Sequence, residues 1–592
     1  MPPAHFDAQS EWIVSEIDES DRTIDYFSPE MTIALNVGSD HLTNYGSIEA
    51  IQHSFGELFR RTKQCIFFPE KDSILIALAK QSSIPYVACD TAHLPYSQEF
   101  QELFQGFQRT DYDLIAEAFY RLTGNFPSLE SFCNFAGIFQ RNNLLASIED
   151  HLFFCDHAHH PNEICASIQY FHLRYPTHTL CAIFRPHRFS RVQQYASEFA
   201  DALSQAERIL FVPTDPADEV PTAEGKCECI AQHVAKNISY EIASAISEIP
   251  NIVEQWITHA KKPFCYIYLT VGSSIFLESL PEIQSRIFLK ELKNKPYLEN
   301  IPIYENEPIG TKTTFKVGGS ARILARPQDE RQLQELLQLS KRYNISIFFL
   351  GNGSNLLWED KGFQGLVISL NHAAFRDFHV EKSTQVRVGA GMLLRTFCHH
   401  LASHSLGGIE ALSAIPATVG GMLAMNGGAC GILLSNYLLH IEVIDQDGHK
   451  RCIPKEEINW QYRKGFCHSK ACILSAFFEF PPTDPEESRQ LQRQFSQQRL
   501  ERQPLRPNAG SIFQNPDVGT LKAWELIDRC GLRGFCIGDA EISTQHTNFI
   551  MNRGHASSQD VRQLIDHARY KVFEHFQIFL EREILQIPGD IL

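Results

Sequence analysis

No stretch of this 592-residue chain holds enough consecutive apolar residues to cross a bilayer, so no membrane insertion is expected. The opening MPPAHFDAQSEW lacks a basic segment leading into an apolar one, which removes any export signal and gives a cytoplasmic reading. Positive charge is in short supply: 53 Lys and Arg against 70 Asp and Glu leave a net charge of −17. With no basic stripe, nucleic acid and anionic membranes are excluded as partners, and anionic ligands have to be held locally, by loops and single arginines. CxxC pairs are absent among the sixteen cysteines, and Cys227-Glu-Cys229 has no His or Cys at zinc spacing. Reduced, mostly buried thiols follow, and no structural metal. Nowhere does GxxGKT or GKS occur, so the commonest lysine-bearing phosphate loop is missing.

What is present is an ordinary globular composition, 43% hydrophobic and 21% charged, in a chain long enough for about three to five domains. Glycine is concentrated in three places. LGNGSNLL at 350–357 follows a strand, GIEALSAIPATVGGMLAMNGGAC spans 408–430, and NAGSIFQNP spans 508–516. Glycines at 351 and 353 let main-chain N–H groups approach a ligand, and Ser354 and Asn355 add short polar contacts, as a pyrophosphate cradle requires. Around the first loop, TTFKVGGSARILARP, a helix with Leu333, Leu336 and Leu337 on one face, and the strand ISIFFL form a βαβ unit. The loop thus sits at the carboxyl end of a strand, where open α/β sheets bind ligands.

The first half carries a different set of signals. In EWIVSEIDESD, Glu11 to Asp21, an apolar run ends in four carboxylates, a pattern suited to a hard cation or to a solvated turn. MTIALNVGSDHLTNYG puts Asn36, Asp40 and His41 just past a second strand. LFFCDHAHHPNEI and TLCAIFRPHRFSR each place an apolar strand before a His and Arg cluster, whose Arg185, Arg188 and Arg191 suit carboxylates or phosphates.

In that order these motifs resemble the UDP-N-acetylmuramate–L-alanine ligase (MurC) family over about residues 10–285. The resemblance implies Glu16 and His41 as Mg2+ contacts and His159, His160, His187, Arg188 and Arg191 as a substrate-holding surface, with ATP as co-substrate. The family's GTHGKTTT loop has no counterpart here, its GxHN stretch reads GFQR, and its DDY reads Cys155-Asp156-His157. Without that loop the ATP phosphates have neither cradle nor lysine.

In the second half FKVGGSA, LGNGSNLL, VRVGAG, GIEALSAIPATVGGMLAMNGGA, WQYRKGF, RQPLRPNAGSIFQNP, AEISTQHTNFIMN and FLEREI resemble, in order, the UDP-N-acetylenolpyruvoylglucosamine reductase (MurB) family over about 303–590. The resemblance implies NADPH and FAD as cofactors, a small-molecule UDP-sugar substrate, and a place in peptidoglycan precursor synthesis. It implies that Gly351, Asn352, Gly353, Ser354 and Asn355 wrap the FAD pyrophosphate and that Ala414, Ile415, Pro416, Thr418, Gly420 and Gly421 line the flavin. Arg463, Ser511 and Glu583 match the family's catalytic Arg, Ser and Glu, and Asn515 an accessory substrate contact. Ala417 stands where the family usually has Gly, a change expected to be tolerated. No inserted tyrosine-bearing loop is evident, which points to the shorter subgroup.

The fold class expected is α/β and α+β multidomain. Residues 1–103 form a partial Mur-ligase central domain and 104–292 the Mur-ligase C-terminal α/β domain. FAD-binding lobes of the vanillyl-alcohol-oxidase type occupy 300–371 and 372–500, and a small α+β substrate domain occupies 501–592. Three functional readings stay open: a reductase fused to a ligase-like segment, a first half that serves as a non-catalytic scaffold contacting other precursor enzymes, and a two-activity enzyme whose phosphate loop lies upstream.

Overall fold

The computed structural model describes residues 4–5, 12–17, 22–38, 45–89, 106–133, 141–298, 300–466, 471–516 and 521–590. Two compact units divide it, residues 1–280 and 281–592.

In the first unit, strands Met31–Ile33, Cys65–Pro69 and Tyr86–Cys89 form a parallel sheet. The middle strand, CIFFP, buries both of its faces, as the period of two dictates: Ile66 and Phe68 enter one apolar cluster, Cys65 and Phe67 another. Leu114 and Ala118, from helix Gly106–Thr123, complete the second cluster, so this helix packs on the first sheet although a division after residue 103 assigns it to the next domain. Further on, Ser239–Ile242, Arg208–Phe211, Thr179–Phe184, Phe264–Leu269, His151–Asp156 and Asn143–Ile148 lie side by side in that order. Every neighbouring pair is parallel except the last. In the segment Glu11–Asp21, the described residues 12–17 hold the strand Val14–Ser15, paired with Ala4–His5. A two-residue ladder has no face with which to cover Trp12, Ile13 and Val14, and all three are exposed.

In the second unit, a four-stranded sheet runs Ile303–Glu307, Ala321–Ala325, Phe363–Ile368, Ile347–Phe349. Helix Glu330–Arg342 starts at Asp329, whose side chain accepts the Gln332 N–H at 2.7 Å, and buries Leu333, Leu336 and Leu337. A five-stranded antiparallel sheet follows, ordered Phe378–Val380, Gln385–Gly389, Ala471–Glu479, Leu438–Asp445, Lys450–Pro454, with helices Leu394–Ser403 and Pro485–Arg502. A third sheet, Asn508–Ser511, Phe549–Asn552, Ala540–Ile542, Cys536–Ile537, is covered by helix Ser558–Phe576. That helix opens with a Ser557–Asp560 capping box and buries Val561, Leu564, Ile565, Ala568 and Val572. The last strand, Leu585–Ile587, pairs in parallel with Leu356–Trp358, just after the first glycine loop.

The unit boundary falls at Pro281, inside helix Ser274–Asn294, rather than between residues 292 and 300, where the expected domains meet. Side chains beyond Pro281 explain this: Glu282 pairs with Arg322 at 2.6 Å and Gln284 donates to the Asn344 carbonyl at 3.2 Å. No disulfide joins two of the described cysteines, and none of the described helices is long and apolar enough to cross a membrane.

Candidate active site

One cavity of about 1530 Å3 in the second unit is lined by all three glycine-rich loops and by Arg463, Ser511 and Glu583. A pocket for a single small ligand is typically about 300–1,000 Å3, so this one has room for a dinucleotide and a second molecule. Gly351 to Asn355 form one wall, directly after strand Ile347–Phe349. Among the described residues, none of their five backbone N–H groups is donated to a protein acceptor. A Cβ at residue 351 would meet Thr418 Oγ1 at 2.8 Å, and Gly353 has φ +64°, so a side chain at either position would be strained. Unclaimed amides on a glycine loop are what an anionic pyrophosphate needs.

The asparagines of this loop serve differently from the expectation. Asn352 Nδ2 donates to the Pro416 carbonyl at 2.6 Å, tying the first loop to the second, and Asn355 Nδ2 donates to the Glu583 carbonyl at 3.1 Å. In the second loop the amides are already spent: Val419, Gly420 and Gly421 donate to Met392 O, Ala390 O and Thr418 Oγ1. That segment therefore offers an apolar wall, not an anion cradle. Ala417 is half-buried, packs on the apolar cluster of the antiparallel sheet, and does not adopt the left-handed conformation that would demand glycine.

Arg463 sits at the tip of a two-residue turn closed by reciprocal Gln461 and Lys464 backbone bonds of 2.9 and 3.0 Å. Its φ is +59°, uncommon for a residue with a Cβ. The turn is pinned from below, since Asn426 Nδ2 donates to Gln461 O at 2.9 Å and Gly465 N–H to Ala424 O at 3.2 Å. A Cβ at 465 would lie 2.0 Å from Leu423 O, which explains the glycine of QYRKGF. The guanidinium stacks over Tyr462 at 5.1 Å, and its Nε lies 2.8 Å from Glu583 Oε1. The Nε–H does not point along that line, so this is a close contact and not an aligned hydrogen bond.

Glu583 follows the buried Leu580 and precedes the buried Ile584. Burial pushes its carboxyl above the ordinary glutamate range, against the opposing pull of Arg463. Its N–H donates to Ile512 O at 2.8 Å, which brings it beside Ser511. Ser511 ends strand Asn508–Ser511 after Gly510, whose φ is +81°, and the segment is fixed by Asn548, which accepts the Phe513 N–H and donates back to its carbonyl. Among the described residues Ser511 Oγ carries no hydrogen bond. Asn515 does not line the cavity: it is exposed, and its Oδ1 accepts the N–H of Ala523 at the start of helix Ala523–Arg529.

The sequence reading passed over the cationic side of the cavity, where Lys316, Arg326, Arg499, Arg502 and Arg506 stand. For three of these the signal was the RLERQPLR run at 499–506, one residue before NAGS. Burial lowers the Arg499 pKa, which marks a guanidinium held partly out of water.

In the first unit the motif residues gather at the carboxyl ends of strands. His159 Nδ1 lies 2.8 Å from His157 O and 3.4 Å from Glu163, and the His159 and His187 rings meet edge-on at 6.4 Å. Burial lowers the pKa of both imidazoles. His160 has a structural task instead, since it caps helix Pro161–Arg174 with Glu163 as the reciprocal partner. Arg188 stands at the start of helix Phe189–Leu203, exposed and at φ +71°, and Arg191 lies in that helix's first turn. Glu16 is exposed and belongs to no candidate metal cluster among the described residues, while His41 lies outside them. The expected Mg2+ pair therefore has no described geometry.

Three family profiles match the chain: FAD binding domain over 321–452, UDP-N-acetylenolpyruvoylglucosamine reductase, C-terminal domain, over 501–587, and Mur ligase middle domain over 4–149. The UDP-N-acetylenolpyruvoylglucosamine reductase of Moorella thermoacetica is 36% identical over 285 residues, 48% of this chain and 93% of that protein. The crystal structure of the Thermus caldophilus reductase is 31% identical, with a TM-score of 0.42, and the match covers 49% of this chain and 99% of that one. For the UDP-N-acetylmuramate-alanine ligase of Thermotoga maritima the identity is 18% and the TM-score 0.33, over 47% of this chain and 63% of that one. With a Mur ligase middle domain ahead of it and an FAD-binding domain within it, the carboxyl-terminal half places this chain in the UDP-N-acetylenolpyruvoylglucosamine reductase family.

Proposed function

We propose that the chain reduces UDP-N-acetylenolpyruvoylglucosamine to UDP-N-acetylmuramate, with NADPH as the electron donor and FAD as the carrier. One observation carries this reading: Arg463, Ser511 and Glu583, far apart in sequence, line the same cavity as the glycine loop with unclaimed amides. That loop would hold the pyrophosphate of FAD, and Ala414 to Gly421 would flank its ring. FAD, when bound, supplies the hydride it has received from NADPH.

The residues then manage charge and proton. A hydride arriving at C3 of the enolpyruvyl ether leaves an electron pair spread over C2 and the carboxylate. The Arg463 guanidinium and the protonated Glu583 carboxyl donate hydrogen bonds to that charge, each worth about 3 kcal/mol as it develops. Burial shifts the Glu583 pKa upward, in the direction of the protonated form, against the pull of Arg463. Ser511 gives its hydroxyl proton to C2: the O–H bond breaks, the enolate pair forms the new C–H bond, and the alkoxide is reprotonated from solvent. Lys316, Arg499, Arg502 and Arg506 add positive charge to the wall that would face the UDP diphosphate and the NADPH phosphates.

The test is anaerobic rapid mixing of the yellow protein, first with NADPH and then with the enolpyruvyl substrate, following flavin absorbance. Bleaching by NADPH and recovery only on adding substrate are expected. A colourless protein that retains no FAD would refute the reading.

A further inference from the structure

The loop assigned to the cofactor is also bonded to the strand that carries the acid. Asn355 donates its Nδ2 hydrogen to the Glu583 carbonyl at 3.1 Å, and its own carbonyl accepts the Leu585 N–H at 3.0 Å. These two bonds straddle Ile584, so one residue is fastened to the backbone immediately after Glu583 from two sides. On its amino side, Glu583 N–H reaches Ile512 O at 2.8 Å, next to Ser511. The Glu583 residue is thus strung between the glycine loop and the serine loop. Arg463 Nε lies 2.8 Å from Oε1 without an aligned N–H, so the backbone bonds act on this residue beside that contact.

We propose that Asn355 is a positioning residue for Glu583, its side-chain amide holding the carbonyl of the acid so that the seating of the glycine loop and the aim of the carboxyl are one adjustment. This rests on the reading of Glu583 as the acid. The bond is local and its partner is a main-chain atom, so what it controls is the rotation of the 583–584 peptide. Without it the backbone bond to Leu585 still holds the strand but leaves that peptide free to turn. A displacement of about 1 Å in a reacting group is worth on the order of 100-fold in rate, far more than the hydrogen bond itself contributes to folding.

A double-mutant cycle on the FAD-loaded protein tests this, using Asn355→Ala, the isosteric Asn355→Asp, Glu583→Gln and the combinations. Oxidation of pre-reduced flavin by the enolpyruvyl substrate is expected to slow about tenfold or more in both Asn355 variants. The factor should vanish when residue 583 is Gln, because residues acting through one another are not additive. In the flavin-free protein, the gain in melting temperature from Glu583→Gln at neutral pH should shrink in the Asn355→Ala background, since the carboxyl is no longer held in its buried place. The same rate factor in both Glu583 backgrounds overturns the proposal, as does a loss confined to flavin retention or to its reduction by NADPH. A parental rate in Glu583→Gln alone overturns the catalytic reading of Glu583, and the proposal with it.

Discussion

Glu583→Gln separates the chemical from the structural contribution of one carboxyl. The substitution keeps size and shape but removes both the acidic proton and the negative charge. An amide N–H is too weak an acid to follow the charge developing on an enolate, so the loss approaches one full donor, about 3 kcal/mol, or on the order of 100-fold in rate. This loss belongs to the step in which substrate reoxidises the flavin and leaves reduction by NADPH near parental. Stability moves the other way. Burial raises the folded-state pKa of Glu583 above its ordinary value, despite the Arg463 guanidinium. The protonated carboxyl therefore contributes stability that is fully present below the unfolded pKa, about 4.3, and is lost as pH rises through the raised folded value. Glutamine imitates the protonated form at every pH. At pH 8 the variant is expected to melt above the parent, with the difference closing below about pH 4.3. Stopped-flow absorbance gives the two half-reactions, and thermal melts from pH 4 to 8 give the second comparison. Equal loss in both half-reactions, or a variant that melts lower than the parent at pH 8, would refute the reasoning, the latter because it would mean that Arg463 makes the ionised form the stabilising one.

Ser511→Ala is expected to leave flavin reduction by NADPH nearly intact and to slow reoxidation by the enolpyruvyl substrate by orders of magnitude, because proton delivery matters only in that half-reaction. Equal losses in single-turnover measurements would remove Ser511 from the role. Arg463→Lys should lower the same half-reaction on the order of 100-fold, since a point charge cannot replace the planar fork, while lysine fits the same turn and the fold persists. Near-parental turnover would take Arg463 out of the site. The polypeptide should release no phosphate that depends on both alanine and UDP-N-acetylmuramate when ATP and Mg2+ are supplied, because phosphoryl transfer rests on positioning and charge neutralisation by a loop this sequence does not contain. Dependent release that disappears in Glu16→Ala would show an active ligase half.

Local grammar was sufficient for much of the molecule. The stripe from Val561 to Val572 with its Ser557 cap, the apolar face of helix Glu330–Arg342 and the glycine loop after ISIFFL all follow from spacing and turn chemistry, which act over a few residues. Eight ordered motifs also carried the family, since a site assembled from distant loops leaves its residue types in the chain even when their geometry is hidden. What sequence could not supply is any relation that depends on segments far apart in the chain. Asn355 looked like a phosphate contact, and only the parallel pairing of Leu356–Trp358 with Leu585–Ile587 reveals its amide on the Glu583 carbonyl. Asn515 looked like a substrate contact, yet its carbonyl oxygen serves the Ala523 N–H at a helix start, a competition settled by where that helix packs. The raised pKa of Glu583 depends on how completely water is excluded by neighbours from other segments, and such burial belongs to the folded chain rather than to any local stretch of it.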